Sequence, residues 1–70
     1  MLNKLDRDDK IEILTHRLIF WSQRLNESTE AIGFLNSLGD QVKIDMNAQD
    51  ILDRQLIITA LQQELDSLPV

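Results

Sequence analysis

IEILTHRLIFWSQRLNESTEAIGFL, residues 11–35, repeats its large apolar side chains with the period of a helix seam. With Ile11 at a heptad a position, the a and d series reads Ile11, Leu14, Leu18, Trp21, Leu25, Ser28, Ile32, Leu35. Seven of these eight are apolar, at alternating spacings of three and four. That is the stripe a helix buries against a second helix. The phase holds across Asn26-Glu27-Ser28-Thr29, where weak helix formers would otherwise suggest a break, so the spacing predicts one long helix. Asp6 is placed to cap its N-terminus, with Asp8 and Asp9 in the first turn, and Gly39 follows Leu38 as a left-handed C-terminal glycine would. These signals bound helix 1 at about residues 6–38.

A second seam reads Ile51, Arg54, Ile58, Leu61, Leu65, Leu68, with Asn47 as the N-cap candidate, Asp50 three residues on, and Met46 and Ile51 as a hydrophobic staple. Pro69 ends the pattern. Helix 2 is expected over about 47–67. Residues 39–46 are expected to form a connector that tucks Val42, Ile44 and Met46 over the hairpin end, since a lone strand there has no partner. The expected fold is all-α: one domain over residues 1–70, a two-helix antiparallel hairpin that dimerises into a four-helix bundle.

Two features call for the second layer. Ile13, Phe20, Ala31, Phe34 and Leu38 gather on a second face of helix 1, and Leu52 and Leu56 lie off the seam of helix 2. Helix 1, at roughly 50 Å, also outruns helix 2, at roughly 32 Å, leaving Ile11, Ile13 and Leu14 as an uncovered N-terminal overhang. Exposed apolar surface on so small a chain marks a contact. Ile11, Ile13, Leu14, Phe20, Phe34, Leu52 and Leu56 are therefore the candidate residues for contact with a partner or a second copy. Ser28 and Arg54 both interrupt the seam at d positions, and antiparallel pairing brings them into one polar layer that fixes register, with Arg54 near Glu27 or Glu30.

Composition excludes most function classes. The chain has 70 residues, no cysteine, seven basic and twelve acidic side chains, a net charge of −5 and a sequence pI near 4.5. It is too short for a nucleotide-binding fold or a two-domain cleft and too small to be stable without a staple. Without cysteine that staple is a partner chain rather than a disulfide or a thiolate metal site. Residues 1–38 hold five bases and six acids, and residues 39–70 two bases and six acids, so DNA and anionic membranes are repelled. The charged N-terminus lacks the apolar core of a signal peptide and no run approaches a membrane span, which points to the cytoplasm.

Candidate chemistry is sparse. His16 has only Glu12 as a potential co-ligand one turn away, too few for a metal. Asp6-Arg7-Asp8-Asp9 lacks the glycine and terminal glutamate of a calcium loop. No phosphate loop or catalytic triad spacing occurs. The sequence thus predicts no enzyme, no cofactor and no metal. Lys10, Arg17 and Arg24 recur every seven residues with Phe20 between two of them, a basic and aromatic set that gives the alternative of RNA contact. The simpler reading has their stems covering the seam edges, so RNA is disfavoured.

In size and layout the chain resembles the Rop-type RNA-binding bundle, the phycobilisome-degradation hairpins and the small accessory proteins of tailed phages. This likeness of plan carries over no functional residue. It implies a phage-encoded chain acting in the host cytoplasm. The expected function is non-enzymatic protein–protein interaction, as an acidic regulator, inhibitor or assembly adaptor acting as a homodimer on a protein partner. The alternatives are Rop-like RNA binding and an antitoxin-type chain that folds on its target.

Overall fold

The computed structural model describes residues 6–68, and the fold is an antiparallel hairpin of two helices, α1 (Arg7–Leu38) and α2 (Gln41–Asp66). α1 runs without interruption through Asn26–Thr29 for 32 residues. Both of its ends follow local chemistry. The Asp6 carboxylate accepts the Asp9 N–H at 2.8 Å, and Asp8 and Asp9 lie in the first turn, where the helix dipole favours them. At the other end Gly39 takes φ 72° and its N–H donates to the carbonyls of Leu35 and Asn36 at 3.1 and 3.2 Å. A β-carbon would be strained at that angle, which is why glycine stands there.

α2 corrects the expected boundaries. The connector is Gly39-Asp40 rather than residues 39–46, and α2 spans 26 residues ending at Asp66. Asp40, not Asn47, is the N-cap; its carboxylate accepts the Lys43 N–H at 3.3 Å. The cause is that Ile44 and Asn47 continue the seam of Ile51 and Arg54 backwards by one heptad, so a cap directly after Gly39 lets the seam start at once. Met46 stands 62% exposed inside α2 and staples no helix start. Val42 is exposed as well, and of the three apolar residues expected to tuck over the hairpin end only Ile44 is half-buried. Pro69 lies outside the described residues.

The longer α2 also removes the expected overhang. Leu68 and Glu64 line one groove with Lys10, Ile13 and Leu14, and Ile11 and Leu14 are half-buried. The hydrogen bonds from Arg54 to Arg24 and Ser28 and from Asn47 to Ser28 set the register. That register places Leu35 level with Ile44, Trp21 with Ile58 and Leu14 with Leu65. The result is a rod of 53 × 19 × 17 Å.

Among the described residues no apolar side chain is fully buried, and Ser28, at 5% exposure, is the one buried residue. Every seam residue but Ser28 and Ile32 is half-buried, and Ile32 is exposed. Two helices enclose too little space to do better, because each seam side chain is covered by one neighbouring helix and left open on its flanks.

The two glycines give opposite tests. Gly33 sits mid-helix with open space where a β-carbon would go, so Gly33→Ala should stabilise by about 0.5–1 kcal/mol. Gly39→Ala should destabilise by about 1 kcal/mol through its positive φ. Urea unfolding at one fixed protein concentration checks both signs; a shift in the same direction for both would contradict these helix boundaries.

Candidate interaction surface

The surface is built from the heptad positions that flank the seam. In an antiparallel pair the g positions of both helices share one flank and the e positions share the other. The g and c positions of α1 supply Lys10, Arg17, Arg24, Ala31 and Leu38 together with Ile13, Phe20 and Phe34. Glu27 completes the c positions of α1, and opposite them α2 supplies Lys43, Asp50, Ile57 and Glu64, with Met46, Asp53 and Ala60 beside them. This is the aromatic flank. The shared groove of Lys10, Ile13, Leu14, Glu64 and Leu68 lies on it. The e flank is small and polar: Thr15, Ser22, Thr29 and Asn36 face Ala48, Gln55 and Gln62. Its groove runs between Asn36 and Ala48 over Leu35, Ile44 and Ile51.

The aromatic flank carries most of the residues that the sequence singled out on α1. Phe34 is 67% exposed, and Leu38, Phe20 and Ile13 are exposed beside the seam. Phe20 meets Trp21 edge to face, with ring centroids 5.2 Å apart and an interplanar angle of 89°. Trp21 is half-buried in the seam, so this contact ties the exposed ring to the interhelical layer. The Arg24 guanidinium carbon stands 5.1 Å from the centre of the Phe20 ring, a cation–π distance. Arg24 also pairs with Glu27 at 3.2 Å on the exposed surface, an ion pair of small energetic weight. Lys10 and Arg17 are exposed along the same line.

Leu52 and Leu56 stand apart from these residues. They occupy b and f positions of α2, turned toward the e flank and the outside of the rod, with Leu56 68% exposed. Ile19, at a b position of α1, is exposed on the corresponding side. The seven apolar candidates therefore do not form one surface: Ile13, Phe20 and Phe34 share a flank, Ile11 and Leu14 belong to the seam, and Leu52 and Leu56 lie elsewhere.

Ser28 and Arg54 do meet, in a layer that is richer than expected. The Arg54 guanidinium donates to the Ser28 hydroxyl and, at 2.6 Å, to the Arg24 carbonyl oxygen. Arg54 does not reach for Glu27 or Glu30. Its d position aims it along the seam at the α1 backbone, while Glu27 faces Arg24 on the surface. Asn47 joins from one heptad upstream, its side-chain amide donating to the Ser28 carbonyl oxygen at 2.9 Å. Asn47 is a seam residue rather than the cap its sequence context suggests; extending the Ile51–Arg54 spacing backwards by one heptad is the signal that places it there. Three polar side chains thus bind α2 to one turn of α1, and among the described residues no buried side-chain nitrogen or oxygen lacks a partner.

A layer of this kind fixes register more than it adds stability. Arg54→Ala should cost about 1–3 kcal/mol, because the layer loses its donor and its packing. Arg54→Leu should recover most of that loss while relaxing the pairing, seen as extra or broadened amide peaks in a nitrogen–proton correlation spectrum. A single sharp set of peaks from Arg54→Leu would mean the register is set elsewhere.

No described helix is long and apolar enough to cross a membrane. Comparison with protein-family models, with curated proteins and with solved structures finds no match to this chain.

Proposed function

We propose that this chain is a non-enzymatic protein–protein interaction module, a small acidic regulator or assembly adaptor of the cytoplasm whose fold is finished by a second protein surface. The observation that carries the reading is the absence of any fully buried apolar side chain among the described residues, together with ten exposed large hydrophobics. A chain of this size has little stability to spare. A hairpin whose seam is only half-covered gains most by having its flank buried in an interface. Phe20, held against Trp21 and under Arg24, has the features of an interface anchor: a large ring, a fixed geometry and a cation stacked at its face.

The RNA reading draws on the same flank, through Lys10, Arg17, Arg24 and Phe20. Asp50, Asp53 and Glu64 share that flank with them, and their charge repels a phosphate backbone. The mixture of signs fits a protein surface better.

Phe20→Asp tests the reading. Wild-type chain should assemble with itself or capture a protein from cell extract, measured by light scattering and by affinity capture. The Asp variant should weaken that assembly by about tenfold or more, as loss of an interface anchor does. If the variant assembles and captures as the wild type does, the flank is not an interface.

A further inference from the structure

The aromatic flank is self-complementary in charge. α1 contributes Lys10, Arg17 and Arg24 to it against one acid, Glu27, while α2 contributes Asp50, Asp53 and Glu64 against one base, Lys43, so the two halves keep opposite net charge. A two-fold interface uses the same patch on both partners, so it is favourable when one half of the patch attracts the other half. We propose that the aromatic flank is covered by a second copy of this chain, with both loops at the same end and α1 of each copy lying along α2 of the other. This rests on the interaction-module reading and names the partner.

Three observations favour that arrangement. The first is size. A face of a rod 53 Å long and 19 Å wide offers on the order of 1,000 Å², above the roughly 800 Å² that each partner gives to a standard interface. The second is charge. With the loops together, the register of the hairpin sets Arg17 within about 3 Å of the height of Glu64 of the second copy and Arg24 within about 3 Å of its Asp53, inside the reach of an arginine side chain. Turning one copy end for end instead lays the acidic helix on the acidic helix and the basic helix on the basic one, which like-charge repulsion disfavours.

The third observation is the distribution of exposed apolar side chains near the loop. Phe34 and Leu38 stand one turn apart on the flank of α1 and Met46 stands on the flank of α2, all three well exposed, whereas Val42, at an f position, faces the outside of the rod. The same-end arrangement sets Phe34 level with Met46 of the second copy, beside Leu38. Phe34, Leu38 and Met46 then cover one another at the end where Ala31 and Leu38 take over the g positions of α1, next to Lys43 of α2. The opposite side of the rod, with Ile19, Leu52 and Leu56, has no such division of charge between its helices and is left facing outward.

Spin labels at Ser37→Cys test the arrangement on the full chain. Ser37 is exposed near the loop and bonds only back to its own helix, at the Gly33 carbonyl. With the loops together the label-to-label distance should be about 15–30 Å; with the loops at opposite ends it should be roughly 40 Å or more. The longer distance would overturn this proposal while leaving the interaction-module reading intact. A chain that stays monomeric at hundreds of micromolar would overturn it too, and would pass the flank to a foreign protein. In parallel, Phe34→Asp should weaken self-association by at least about tenfold and Leu56→Asp by no more than about twofold. The reverse order would show that the other side of the rod is the one covered.

Discussion

Two helices side by side enclose a line of side chains and no volume. A residue in that line has the other helix in front of it, its own helix behind it and water at both flanks. Among the described residues only Ser28, small and set between the arms of Arg54 and Asn47, is closed off on every side. The larger seam residues, Leu18 and Trp21 among them, stay half-covered. The hydrophobic effect scales with the apolar area removed from water, so half-covered leucines deliver part of what a closed core would. The rod shape and the exposed aromatic flank follow from this shortfall, and it is the reason we propose that a second surface completes the fold.

The polar layer shows what the seam gives up to stay in place. Antiparallel helices with a uniform leucine and isoleucine stripe can slide by a heptad at little cost. Arg54 and Asn47 prevent that sliding because each reaches one turn of α1 and finds an oxygen there. A slip would strand both donors against apolar side chains, which is costly. The layer sits near the middle of the rod, so it holds both ends in register, including the close heights of Phe34 and Met46 and of Arg17 and Glu64 on which a self-complementary flank depends.

Much of this was legible in the sequence. The long unbroken α1, its Asp6 cap and its Gly39 terminus followed from heptad phase and from two end signals with simple physics. The meeting of Ser28 with Arg54 followed from two polar residues at d positions. The start of α2 did not. Asn47 with Asp50 three residues later looks like a cap, and the alternation of Val42, Ile44 and Met46 looks extended. Asp40 offers an equal cap immediately after the glycine, and the seam positions of Ile44 and Asn47 decide between them. A start at Asn47 leaves residues 41–46 out of α2 and implies an overhang that the structure fills with Leu68. The grouping of Ile13, Phe20 and Phe34 apart from Leu52 and Leu56 needed the flanks to be assigned, which requires knowing which helix face meets which.

The central claim is that this hairpin folds fully only when its flank is covered by another surface. Circular dichroism combined with sedimentation equilibrium over a dilution series tests it most directly. The account predicts that helical signal and assembled mass fall together as the pure chain is diluted. A monomer that keeps its full helical signal and melts at the same temperature at every concentration would contradict it.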